Sequence, residues 1–139
     1  MSTKPRKHRH SGSPTDWLSH AKSDLNLARL ASKHKTVLPE QACFHAQQAC
    51  EKALKAVLLD KKLECPLVHD IEVLLEIAKD GGLRLPRKVR EAGALSPYAV
   101  EARYPGYDDI VTAADVSRAI RLSKQVVDWA VTSLQSGTR

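Results

Sequence analysis

The chain has 139 residues, 42% of them hydrophobic but only 4% aromatic, and a formal charge of +6. That length suits one domain with a self-sufficient core. The scarcity of aromatic residues implies an aliphatic and alanine core and favours helices over a sheet.

Lys4, Arg6, Lys7 and Arg9 carry four of the positive charges in an opening decad without an acid, so the remainder of the chain is only weakly basic. Residues 1–14 read as a disordered basic tail, rich in Gly, Ser and Pro and without apolar residues after Met1. It can touch RNA or DNA phosphates, but a solvated tail explains it as well. His8 and His10 have no partners that would complete a metal site.

The domain is expected over residues 15–136. Leu18, Ala21, Leu25 and Ala28 recur at helical spacing behind Thr15 or Asp16 as cap, and Pro39 ends that helix. A second helix opens at Pro39 and runs to about Lys62. Its apolar residues, from Ala42 to Val57, fill an arc of about 160°, more than a surface helix needs, so it should be central. Phe44, Gln47, Gln48, Glu51 and Lys55 lie together on its other flank. A short helix follows with Ile71, Leu74, Leu75 and Ala78 inward, capped by His69 or Asp70 and closed at Gly81-Gly82. A fourth begins at Pro86 and is interrupted by Gly93 and Pro97. The last has Thr112 as cap, Asp115 in its first turn, and a core stripe of Ala113, Val116, Ile120, Val127, Val131 and Leu134. Leu122 and Trp129 stand opposite that stripe, as a seam for another helix or for a second subunit. The expected architecture is an all-α bundle of four long helices and one short one.

Cys43 and Cys50 lie seven residues apart on one helix, roughly 10 Å along its axis, too far to bridge, and Cys65 stands alone. Buried thiols in a reducing compartment follow, and no segment resembles a membrane span or a secretory signal, so the expected location is cytoplasmic. No glycine-rich phosphate loop, metal spacing or cofactor motif occurs, and no metal or cofactor is expected.

Three segments draw attention: the flank of the second helix; His69 at a helix start, where an anion can be received; and Tyr98 with Arg103, Tyr104 and Tyr107 around a helix break. In order, they read F-x-x-QQA-x-EK-x-LKA-x-L over Phe44–Leu58, H-D-I-x-x-LL over His69–Leu75, and L-x-x-Y-x-x-x-x-RYP from Leu95 to Pro105. This succession resembles the HEPN family, the higher eukaryotes and prokaryotes nucleotide-binding domains, over most of the chain outside the tail. The resemblance implies an up-and-down bundle, a homodimer, and pairing with a minimal nucleotidyltransferase in a toxin–antitoxin-like system. It also implies that the Phe44–Glu51 flank faces other helices or the twin subunit.

Catalytic members of that family are metal-independent ribonucleases with an arginine followed a few residues later by a histidine. Arg103 occupies the arginine position, but the window after it holds Asp108, Asp109 and Ile110. The match of Arg29 with His34 lies on the first helix, away from the family's site. The resemblance therefore implies a nucleotide- or phosphate-binding site of Arg103, Tyr104, Tyr98, His69, Gln47, Gln48 and Glu51 without the ribonuclease histidine. One alternative is a divergent ribonuclease toxin using Arg103 with Tyr104, Tyr107 or a histidine from elsewhere. Another is a non-catalytic helical adaptor in which Arg103 neutralises Glu101 or Asp108 and the Leu122–Trp129 seam does the binding.

Overall fold

The structure, a computed structural model, describes residues 12–100, 104–106 and 110–136. The order of elements is α1 (Pro14–Ser32), α2 (Pro39–Asp60), α3 (Ile71–Asp80), α4 (Arg87–Arg90), a 3₁₀ helix (Glu91–Ala99) and α5 (Ala113–Ser136). The architecture is the expected all-α bundle. Residues 1–11 of the basic tail lie outside the described residues.

α2 is central. It packs against α1, α5, α3 and the 3₁₀ helix, and its buried side chains run from Ala42 to Leu58 around most of its circumference. Alanines at 42, 46, 49, 53 and 56, all buried, keep its surface thin, so neighbouring backbones come close on several sides.

The helix ends follow local chemistry. α1 begins two to three residues earlier than expected: Ser13, rather than Thr15 or Asp16, is the cap, its Oγ accepting from Asp16 N at 3.0 Å. It also stops earlier, at Ser32, whose hydroxyl donates back to Arg29 O at 2.7 Å. Asp70 caps α3, with Oδ1 accepting from Glu72 N at 2.9 Å. Thr112 and Asp115 form a reciprocal box: Thr112 N donates to Asp115 Oδ2 at 2.9 Å and Asp115 N to Thr112 Oγ1 at 3.1 Å. α2 and α3 end alike. Leu63 N reaches back to Leu58 O and Leu83 N to Ala78 O, with Lys62 (φ 58°) and Gly82 (φ 88°) in the left-handed region. Glycine meets that demand freely, whereas Lys62 meets it under strain.

The fourth expected helix is a composite, one α-turn leading into a 3₁₀ stretch that contains Gly93 and Pro97. Proline cannot donate into the ladder, which favours the tighter form. The Glu72 carboxylate of α3 lies over Gly93, in the space a Cβ would take.

α5 corrects the expected inner face. Val116, Ala119, Leu122, Ser123, Val126, Val127 and Ala130 are buried. Ala113 is exposed, and Ile120, Val131 and Leu134 are half-buried. Leu122 is fully buried within its own chain, and half-buried Trp129 packs on the same core. The seam at Leu122 is intramolecular.

Candidate functional site

The second-helix flank is not wet. Gln47 and Lys55 are fully buried and Glu51 is 3% exposed. Such groups stay inside only if each finds a partner, and here they find one another. Lys55 Nζ donates to Glu51 Oε2 at 2.8 Å. Gln47 Nε2 donates to Glu51 Oε1 at 3.1 Å and to the carbonyl of His69 at 3.0 Å. Gln48 Nε2 donates to Gln47 Oε1 at 2.7 Å and approaches Glu51 Oε1 at 3.4 Å. The Lys55 ammonium also lies 5.9 Å from the centroid of the Trp17 ring, a cation–π contact that helps replace its lost hydration.

The network opens most fully to the surface at His69, with Gln48 half-buried beside it. His69 Nδ1 stands 3.1 and 3.2 Å from Glu51 Oε1 and Oε2, while the His69 side chain is 64% exposed. A carboxylate only accepts, so Nδ1 carries the hydrogen and Nε2 is the edge left for a ligand. Because Lys55 balances Glu51, that edge presents no uncompensated acid.

The first turn of α3 is not an open anion site. Ile71 N donates to Ser96 Oγ at 3.0 Å, Glu72 N donates to Asp70 Oδ1, and the Ser96 hydroxyl donates to Asp70 Oδ1 at 3.2 Å. Two of the amides that would greet an anion are taken, and a carboxylate sits beside them. The 3₁₀ helix is thereby pinned to the start of α3.

Of the expected site residues, the fold brings together Gln47, Gln48, Glu51 and His69. Tyr98 is half-buried against α2, hydrogen-bonded with Cys43, one turn before Gln47. Tyr104 stands on a turn, 55% exposed. Arg103, Tyr107, Glu101 and Asp108 lie outside the described residues. Phe44 is half-buried and meets His45 edge-on, centroids 5.1 Å apart. The sequence puts Lys55 on the candidate flank without a role in the site, and gives no sign of Trp17 or Ser96. The spacing of Glu51 and Lys55, four residues apart on a helix, was the available signal for an ion pair.

A second polar cluster joins α1 to α2, where Asp24 Oδ2 accepts from Lys52 Nζ at 2.6 Å and Oδ1 faces His45 Nδ1 at 3.4 Å. The three cysteines are free and buried. Burial pushes the Cys43 thiol up to about 12, reinforced by Asp115 and partly offset by the Tyr98 hydrogen bond. Burial raises Cys65 to about 11, and it raises Cys50 further, with Glu51 adding to the effect. None of them is a ready nucleophile at neutral pH. Among the described residues no cluster of His, Cys, Asp and Glu could hold a metal ion. None of the described helices is long and apolar enough to cross a membrane.

Comparison with known proteins places these features in context. The family model for the HEPN domain matches residues 15–134. The fold is similar to that of TT1696 from Thermus thermophilus, with a TM-score of 0.74, 26% identity, and coverage of 87% of this chain and 98% of that one. It is also similar to ST0689, described as an archaeal HEPN homologue, with a TM-score of 0.71, 26% identity, and coverage of 89% and 99%. No curated protein matches the sequence.

Proposed function

The chain belongs to the HEPN domain family, and from that premise we propose that it is a nucleotide-binding module, homodimeric and paired with a minimal nucleotidyltransferase in a toxin–antitoxin-like system. The observation that carries this reading is the exposed imidazole of His69, oriented by a buried and neutralised Glu51. Its Nε2 edge offers a polar contact to a phosphate or base. Arg103 supplies the planar, always-charged fork that grips phosphate oxygens in pairs, with Tyr98, Tyr104 and Gln48 shaping the pocket. Residues 104–110 contain no histidine, so binding rather than ribonuclease chemistry is the function assigned. The free thiols suit a reducing compartment, and the cytoplasm is the proposed location.

Thermal-shift titration of the full chain with adenine and guanine nucleotides tests the reading. A nucleotide should raise the melting temperature, and Arg103→Ala should abolish the rise while His69→Ala reduces it. No shift with any nucleotide, or a shift indifferent to both variants, overturns it. Copurification with a nucleotidyltransferase encoded beside it checks the pairing.

The same observation favours a second reading. His69 is a histidine from elsewhere in the chain, held with Nε2 free for proton transfer, which a divergent ribonuclease would require. Growth arrest and RNA cleavage on expression, both relieved by Arg103→Ala and by His69→Ala, would establish it. RNA left intact after prolonged incubation with the protein would remove it.

A further inference from the structure

We propose that the trough between α1 and α5 is a docking site for an acidic amphipathic helix of a partner protein. It shares no lining residue with the Glu51–His69 network and stands or falls independently of nucleotide binding. α1 and α5 each pack chiefly on α2 and meet one another less, so a trough stays open between them. Its cationic stretch is a shallow, open hollow of about 600 Å³. Arg29 and Lys33 rise from the α1 wall, and Arg121 and Lys124 from the α5 wall. Lys124 is tied to Asp128 at 2.7 Å. Arg29, Lys33 and Arg121 form no ion pair with any described residue.

The trough continues into a second hollow of about 230 Å³, with Val37, Ala42 and Val116 in its walls. Ser32, Ser117 and Ile120 line both. On α5 the row Ser117, Arg121, Lys124, Asp128 follows helical spacing, about 16 Å of axis, three turns of a docked helix. The ligand that fits runs along the trough, sets apolar side chains on Ile120 and Val37, and carries carboxylates on both flanks to meet the cations. That is the helix-in-groove mode of recognition, with charge choosing the partner and apolar anchors holding it.

Two details favour a protein helix over a nucleic-acid strand. A phosphate backbone would use the cations and leave the apolar hollow bare. Asp128, tied to Lys124 inside the cationic row, takes one of the cations that a continuous polyanion would need.

The test uses the full chain and a fluorescent peptide about 18 residues long, with leucine on one helical face and glutamate elsewhere. The competitors are a scrambled version, polyglutamate, and a labelled oligouridylate. Anisotropy at physiological salt should show binding of the amphipathic peptide. Arg29→Glu with Arg121→Glu should weaken it at least about tenfold, and Ile120→Glu should weaken it similarly. Lys79→Glu with Arg84→Glu, which replaces exposed cations outside the trough, should leave it within about twofold. Circular dichroism confirms that the variants are folded. On the unmodified chain, the peptide should shift the amide resonances of residues 29–33 and 117–128. Failure of the amphipathic peptide to bind overturns the proposal. So does equal binding of polyglutamate or the scramble. Oligouridylate bound in place of the peptide, and lost on the same charge reversal, reassigns the trough to nucleic acid.

Discussion

Two polar regions of this bundle use charge in opposite ways. On α2, Glu51 and Lys55 are removed from water but settled on each other, on Gln47 and on the Trp17 ring. On the α1–α5 face, half-buried Arg29 and exposed Lys33 and Arg121 line an open hollow and form no ion pair with any described residue. The first arrangement is architecture: its charges are satisfied by the fold and vanish from the surface except at His69. The second leaves its charges to whatever approaches. Burial and compensation together, rather than charge alone, separate a structural network from a recognition surface.

The largest effect should come from splitting the buried pair. Lys55→Ala leaves Glu51 without its cation and is expected to cost about 3–5 kcal/mol, read by urea denaturation. Glu51→Gln together with Lys55→Met should recover most of the loss, because nothing charged is then stranded. A loss in the double variant as large as in Lys55→Ala would mean that the pair is not self-contained. Next, Leu122→Ala should cost about 2–5 kcal/mol through a cavity in the core, with the association state unchanged. A variant that keeps its stability but changes its mass in solution would move Leu122 from the core to a subunit contact.

The elements whose signal is local were legible in the sequence. Pro39 opens α2, Asp70 caps α3, and Thr112 with Asp115 starts α5, because one side chain decides each. Two features were not legible. The buried flank of α2 reads as polar because a pattern of residue types cannot show that Gln47, Glu51 and Lys55 satisfy one another across a turn. The pattern sets the face of α5 on Ala113, Val116, Ile120, Val127, Val131 and Leu134, whereas the buried face also takes in Ala119, Leu122, Ser123 and Val126. With apolar residues on two sides of the helix, periodicity alone cannot say which side turns inward. Within the candidate site, the QQA-x-EK and H-D-I motifs marked Gln47, Gln48, Glu51 and His69 as a group. They do not say that Gln47 and Glu51 are buried while His69 stays exposed, because that depends on how the segment before α3 crosses α2.

Smaller, and distributed over the core, is the response to alkali. The thiols of Cys43 and Cys65 are raised from 9.0 to about 12 and about 11, and Cys50 is raised as well. Above pH 9 the unfolded chain therefore releases thiol protons that the folded chain retains. The thiols' contribution is fully present below about 9 and is lost as pH rises through the folded values. Each thiol should contribute a fall of about 1 kcal/mol per pH unit in that window. Urea denaturation at successive pH values, compared between the protein and Cys43→Ala, isolates one such contribution. An identical slope in both would show that Cys43 is not held protonated by burial.

The smallest effect is expected in the trough, and there smallness is the point. Arg121→Glu places an acid among Arg29, Lys33 and Lys124, so it relieves repulsion and should stabilise the isolated chain by no more than about 0.5 kcal/mol. The gain should shrink as salt is added, since these charges are screened by solvent. A destabilisation above about 1 kcal/mol would mean that Arg121 holds the fold together as Lys55 does, and the contrast between the two regions would collapse. If the predicted sign is found, the uncompensated arginine is a standing cost to the free protein. An acidic helix in the trough would relieve that cost, so the same arginine that mildly destabilises the free chain would contribute to binding.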